Sequence, residues 1–180
     1  MVYVLLGTGF EEVEAIAPID LLRRAGVSVL TVGVEGKTVT GSHGIPVVAD
    51  IEIGQMDLTD LDMIVLPGGL GGVATVRKSE AALEALRFAW ENGKYVAAIC
   101  AGPTVLADLG ITDGRTATCY PGCESGMGSA NTVSDVPWVA DGKLITGASA
   151  GCAVPFALAL IEALKGSEEA QKIARQIVIR

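Results

Sequence analysis

Tyr95-Val96-Ala97-Ala98-Ile99-Cys100-Ala101-Gly102-Pro103-Thr104 is an apolar run of strand character that stops at a cysteine and breaks into small residues, Gly and Pro. It reads as strand, sharp turn, helix. In an open α/β sheet such a turn lifts one side chain out at the carboxyl end of a strand, where ligands bind, and aims it at the start of the next helix. Cys100 is that side chain. A helix amino terminus carries partial positive charge, which favours thiolate over thiol and sharpens the sulfur as a nucleophile. Taken alone, the stretch is equally readable as a strand closed by a small buried hydrophobe, because free cysteines are among the most buried residue types. Its neighbours have to decide.

Outward from this stretch, strand and helix signals alternate. Residues 2–6 are a short apolar run of the fully buried, parallel-strand kind, ended by Gly7-Thr8-Gly9. Residues 11–25 read as a helix with Val13, Ile16, Ala17 and Leu21 on one face and Gly26 as its stop. Residues 27–32 complete a right-handed βαβ unit. Two β-prone pieces between residues 35 and 50, punctuated by Gly36, Gly41 and Gly44, suggest a hairpin or edge excursion. Residues 63–66 are another buried strand, closed by Pro67-Gly68-Gly69, and Leu83, Leu86 and Trp90 mark the helix that follows.

Beyond Cys100, a short helix over residues 103–109 ends at Gly110, with Pro103 well placed because its missing donor would be unpaired anyway. Residues 115–119 read as a strand, residues 120–131 as a loop holding one helical turn, and residues 138–146 as a hairpin around Asp141-Gly142. Val154, Ala157, Leu158 and Ile161 mark a core-facing helix, and residues 168–179 a final one capped by Ser167 with Glu168 and Glu169 in its first turn. There is no internal repeat and no linker. The pattern predicts one domain over residues 1–180, a doubly wound α/β fold with a mostly parallel central sheet and helices on both faces.

Composition narrows the function. Half of the 180 residues are apolar, yet no uninterrupted apolar run of about 18 occurs, so no membrane span is expected. Residues 1–6 enter a strand pattern directly, without a basic leader or cleavage site, which points to the cytoplasm. A net charge of −8 argues against a nucleic-acid surface, which needs clustered Lys and Arg. Four scattered cysteines fit reduced thiols better than a disulfide framework. Cys119 and Cys123 form a lone Cys-x-x-x-Cys without a further ligand pair, a poor zinc signal, so no metal is expected.

Three loops at strand ends gather on one side of such a sheet: residues 7–14, 67–72 and 100–103. Gly68 and Gly69 let backbone N–H groups face a ligand, and the N–H of Ala101 directly follows the nucleophile, so together they can form an oxyanion hole. Pro67-Gly68-Gly69 is equally an ordinary tight turn. Glu11, Glu12 and Glu14 open the first helix, where negative charge is favourable whatever the function, and that suffices for Glu11 and Glu12. Glu14 can turn toward the strand ends and meet Cys100; a buried carboxyl beside a thiolate keeps its proton and donates a hydrogen bond to sulfur.

Gly69-Leu70-Gly71-Gly72-Val73-Ala74 fits the G-x-G-x-x-A pattern of dinucleotide sites, but the following strand ends in Ile99-Cys100 and not in an acidic residue, so no cofactor is expected. His43, the one histidine, sits in Gly41-Ser42-His43-Gly44 and as a surface turn residue needs no role.

These residues together resemble the DJ-1/PfpI superfamily, in the branch of DJ-1 and the bacterial ThiJ proteins once named for thiazole biosynthesis. The matching segments are Gly9-Phe10-Glu11-Glu12-Val13-Glu14, Leu22-Arg23-Arg24-Ala25-Gly26, Val65-Leu66-Pro67-Gly68-Gly69, Ala97-Ala98-Ile99-Cys100-Ala101-Gly102-Pro103 and Phe156-Ala157-Leu158, nearly end to end. The resemblance implies a flavodoxin-like sandwich, a homodimer, and Cys100 as the reactive or oxidisable thiol. It makes Glu14 the protonated glutamate beside that thiol and Gly69 and Ala101 the backbone donors. Ala101 stands where PfpI-type relatives carry histidine, which weakens a peptidase assignment. Tyr120 occupies the place of a pocket histidine in this branch, and His43 that of an arginine near the dimer interface, implying a contribution across it. Thr146-Gly147-Ala148-Ser149-Ala150-Gly151-Cys152 replaces the usual Thr-Ser-Arg-Gly-Pro-Gly-Thr and so removes a pocket arginine.

The function expected on this resemblance is a cysteine-dependent enzyme acting on small reactive carbonyls or their adducts, in the glyoxalase or deglycase manner. Two other classes stay open. One is a redox sensor or stress-response protein oxidised at Cys100 to sulfinic acid without turnover. The other is a cysteine hydrolase, for which no histidine follows the nucleophile.

Overall fold

In the computed structural model, which describes residues 1–179, the strands are Val2–Leu6 (β1), Val29–Gly33 (β2), Thr38–Thr40 (β3), Pro46–Val48 (β4), Ile51–Glu52 (β5), Met63–Leu66 (β6), Tyr95–Ile99 (β7), Thr116–Ala117 (β8), Asn131–Thr132 (β9), Trp138–Asp141 (β10) and Leu144–Gly147 (β11). The helices are Glu12–Arg24 (α1), Leu70–Lys78 (α2), Glu80–Glu91 (α3), Pro103–Asp108 (α4), Ala153–Lys165 (α5) and Ser167–Gln176 (α6). Seven strands make one sheet in the order β10-β11-β7-β6-β1-β2-β5, parallel throughout except for the β10–β11 hairpin. Counting β1, β2, β6, β7 and β11 as first to fifth gives the order 2-1-3-4-5, the flavodoxin-like winding. The order reverses between β1 and β6, so the loops leaving β1, β6 and β7 open together at one crevice.

The strands are continuous apolar runs because both faces of the sheet are covered. Val2, Val4, Leu6, Val65 and Ile99 pack with Ile19, Leu22, Phe156 and Leu160 of α1 and α5. Tyr3, Leu5, Leu66, Val96 and Ala98 point the other way, onto Val73, Leu86 and Val105 of α2, α3 and α4. Each such large side chain removed from water contributes about 1.5–3 kcal/mol.

Several elements depart from expectation. The core face of α1 is Ala15, Pro18, Ile19 and Leu22, with Leu21 also buried; Val13 and Ile16 are 52% and 44% exposed. A helix of period 3.6 can carry two apolar stripes, and the core took the one spaced 15, 19, 22. Residues 70–78 form a helix that their glycines concealed. Those glycines serve contact: a Cβ on Gly72 would lie 2.7 Å from Phe10 Cα, and one on Gly7 2.6 Å from Gly72 O. The G-x-G-x-x-A pattern is thus a backbone-to-backbone seam between the loop after β1 and the first turn of α2. Only Thr116–Ala117 of the expected strand over 115–119 is extended, pairing with β9. Gly166, at φ 89°, caps α6 in place of Ser167, which is its first helical residue.

The hairpin β3–β4 stands off the main sheet, antiparallel and tied to α1 by Glu12. The buried Glu12 carboxylate accepts from His43 N (2.8 Å), Ile45 N (3.4 Å), Ser42 Oγ (3.2 Å) and His43 Nδ1 (3.0 Å). Burial opposes its charge, but the His43 and Ile45 hydrogen bonds win and hold its pKa at about 2. The helix-start reading of Glu12 is therefore incomplete. Because the folded value is depressed, the stability Glu12 contributes is complete above its ordinary 4.5 and fades as pH falls toward about 2. Glu12→Ala, which leaves those donors unpaired, should cost about 1–3 kcal/mol in chemical denaturation and speed amide exchange at residues 43 and 45. In the wild type the protection of the same amides, relative to their intrinsic exchange rates, should fall below pH 4.5.

Candidate functional site

β7 ends at Ile99, and Cys100 turns the chain with a left-handed φ of 65°. That conformation costs a non-glycine residue about 1–2 kcal/mol. Three hydrogen bonds hold it: Cys100 N to Gly147 O (2.9 Å), Gly102 N to Ile99 O (2.9 Å), and Tyr120 N to Cys100 O (2.8 Å). A Cβ on Gly102 would sit 2.8 Å from Leu66 O, so only glycine lets the turn press against β6 before Pro103 starts α4. Cys100 is left half-buried at the crevice.

Glu14, on α1, has no exposed surface. Its Oε2 accepts from Gly68 N at 2.9 Å, while Oε1 has no partner in hydrogen-bond geometry. A Cβ on Gly68 would meet Glu14 Oε2 at 2.6 Å and Cys100 Cβ at 2.7 Å, so the carboxyl and the cysteine crowd the same glycine. Burial raises the Glu14 pKa to about 7 against the lowering effect of Cys100 and Gly68, and the charge of Glu11 pushes the same way as burial. Glu11 caps the helix, accepting from Glu14 N at 2.8 Å.

Cys100 is also raised, to about 12, by burial first and then by the Glu14 charge and hydrogen bond; the N–H groups of Ala101 and Gly69 pull it down by less. The expected depression of the thiol by the helix terminus does not prevail. α4 has only six residues, and burial beside a carboxylate outweighs its dipole. Both shifts describe one condition: the site holds a single negative charge, and between about pH 7 and about pH 12 Glu14 and Cys100 share one proton.

Cys100 opens into a cavity of about 390 Å³. Gly69, Ala101 and Tyr120 lie in its wall with Cys100. Among the described residues the N–H groups of Gly69 and Ala101 donate to no backbone carbonyl; both act on the Cys100 thiol by lowering its pKa. Gly69 adopts φ 87°, and a Cβ there would run into Gly9 O and Glu11 N, so a side chain has no room. Gly68 lines no part of the cavity, its N–H being engaged by Glu14. Glu14 lies behind Cys100 and not in the wall. His43 stays outside, exposed and bound to Glu12. Segment 147–152, where the usual motif would carry a pocket arginine, contributes nothing to the wall.

Sequence reasoning missed Glu11, Leu70 and Cys123, which complete the wall with Pro121 and Gly122. For Glu11 the signal was its spacing of three from Glu14; for Cys123 it was the Cys-x-x-x-Cys set aside as a zinc pair. The carboxylates of Glu11 and Glu12 and the ring of His43 form a cluster within 4.8 Å able in principle to chelate a cation. Glu12 already has four protein hydrogen bonds there, which a metal would have to displace.

Comparison with known proteins places this geometry. A search with family models matches the DJ-1/PfpI family over residues 1–163. Protein dj-1beta of Drosophila melanogaster is 38% identical over 178 residues, 98% of this chain and 95% of that one. Its crystal structure superposes with a TM-score of 0.95 over 99% of this chain and 97% of that one, at 37% identity. Toxoplasma gondii DJ-1, solved in an oxidised form, gives 0.92 at 34% identity over 98% and 97%. A Pyrococcus horikoshii protein named as a deglycase is 37% identical over 138 residues, 77% of this chain and 80% of its own length. With a family model matching residues 1–163 and relatives of this identity spanning nearly the whole chain, the chain belongs to the DJ-1/PfpI family.

Proposed function

We propose that the protein is a cysteine-dependent enzyme acting on small reactive carbonyls or their adducts, in the glyoxalase or deglycase manner. The observation that carries this reading is the buried Glu14 carboxyl crowding the same glycine as Cys100, which opens into a small cavity. Above about pH 7 Glu14 is a carboxylate, and it takes the thiol proton as Cys100 Sγ attacks the carbonyl carbon. The new oxyanion lies where the N–H groups of Gly69 and Ala101 converge, and Glu14 then returns the proton to give the hemithioacetal. A carboxyl titrating near neutrality suits both steps. The deglycase relative from Pyrococcus horikoshii favours the same substrate class. Four free cysteines suit a reducing compartment such as the cytoplasm.

A second reading, a redox sensor oxidised at Cys100 without turnover, is favoured by the half-exposed position of that sulfur and by the oxidised Toxoplasma gondii relative. For either role we propose a homodimer. Val13 and Ile16 on α1 and Ile45 and Val48 on the β3–β4 hairpin are exposed apolar side chains on two elements that Glu12 ties together.

Methylglyoxal turnover should vanish in Cys100→Ser and fall by about 10²–10⁴-fold in Glu14→Gln; undiminished turnover in Cys100→Ser would sink the mechanism. kcat/KM should rise with pH through about 7 and then level off, because Glu14 is lost as a base below its raised value. Alkylation of Cys100 by iodoacetamide should show the same inflection near 7 in wild type and lose it in Glu14→Gln, moving above the ordinary thiol range because burial persists. Sedimentation should give a species of about twice 18.4 kDa, and Ile16→Asp should halve it.

A further inference from the structure

Cys123 belongs to the same cavity wall as Cys100, yet the carbonyl mechanism leaves it idle. Two backbone hydrogen bonds lash its turn to the elbow: Tyr120 N donates to Cys100 O at 2.8 Å, and Cys123 N donates to Tyr120 O at 2.9 Å. Cys123 is half-buried, so its sulfur is reachable from the cavity. Around it, residues 120–122 and 124–126 are exposed, Gly122 holds φ 98°, and the next side chain anchored in the core is Met127. The turn can therefore shift toward Cys100 without unpacking the core; a disulfide requires their Cα atoms within roughly 7 Å.

The other cysteines are poorer partners. Cys119 is buried in the core, which, with the charges of Glu124 and Cys123, pushes its thiol up to about 11. Cys152 caps α5 and lines no part of the cavity.

We propose that Cys123 is a resolving thiol for Cys100, converting oxidation of the nucleophile by a hydroperoxide into a reversible disulfide. Cys100 sulfur attacks the distal peroxide oxygen, the O–O bond breaks, and the alcohol leaves with a proton, giving Cys100 sulfenic acid. Cys123 sulfur then attacks Cys100 Sγ, the S–O bond breaks, and the hydroxyl leaves as water with the Cys123 proton. The net change is two thiols and one hydroperoxide to one disulfide, one alcohol and one water. A tethered thiol acts at an effective concentration in the millimolar range, so it outruns a second micromolar peroxide that would carry Cys100 to sulfinic acid. The disulfide fills the cavity mouth and is reopened by small thiols. The proposal rests on Cys100 being a reachable nucleophile and is independent of the carbonyl reading.

The reduced protein, treated with one equivalent of hydrogen peroxide, should lose two hydrogens by intact mass and yield a Cys100–Cys123 linked peptide in a non-reducing digest. Cys123→Ser, given two equivalents, should instead gain two oxygens at Cys100, whereas Cys119→Ala with one equivalent should still lose two hydrogens. Gain of two oxygens at Cys100 in the wild type, or a crosslink through Cys119 or Cys152, overturns the proposal. Iodoacetamide labelling of untreated protein separates the two failures. If Cys100 labels but no disulfide forms, only the role of Cys123 falls; if Cys100 neither labels nor oxidises, its reading as a nucleophile falls as well.

Discussion

A carboxyl group with no exposed surface is a costly thing to build into a small protein, and the site depends on how this one is held. Glu14 has one firm partner, the N–H of Gly68, and one oxygen left without a proper hydrogen bond beside a cysteine. Water cannot reach it to spread the charge, so the carboxyl and the thiol compete for a single proton. That competition explains why both titrate upward. It also explains why a short helix terminus does not govern the sulfur: a dipole acting through one turn is weak beside burial next to a carboxylate.

The glycines around this pair have separate tasks. Gly68 admits the Glu14 carboxyl, Gly69 offers an N–H that lowers the pKa of the thiol, and Gly102 lets the elbow press against β6. Gly7, Gly9, Gly71 and Gly72 let the loop after β1 and the start of α2 touch backbone to backbone. A run that resembles a phosphate-binding fingerprint is here a packing seam, because the requirement it meets, the absence of a Cβ at close approach, is common to both.

The acidic opening of α1 divides along the same lines. Three carboxylates at neighbouring positions take three different tasks: Glu11 caps its own helix and lines the cavity, Glu12 binds the β3–β4 hairpin, and Glu14 lies under the cysteine. Helix-terminus electrostatics accounts for their presence together but not for these fates, which are set by the hairpin and the elbow approaching α1 from opposite sides.

What the sequence determined by itself is local or periodic. The buried strands, the parallel winding, the hairpin at Asp141-Gly142 and the elbow at Cys100 follow from apolar runs, turn residues and the Gly-Pro break, since these act over a few neighbouring residues. The pairing of Glu14 with Cys100 was legible as one possibility, from an acid in the first helical turn near a strand-end cysteine, and it was the family resemblance that implied it. Only the tertiary structure decided which stripe of α1 faces the core, that residues 70–78 are helical in spite of their glycines, that Cys123 joins the cavity wall, and that the Cys100 thiol is raised and not lowered. Each of these depends on the distance and burial between segments far apart in the chain, quantities that periodicity and composition do not contain.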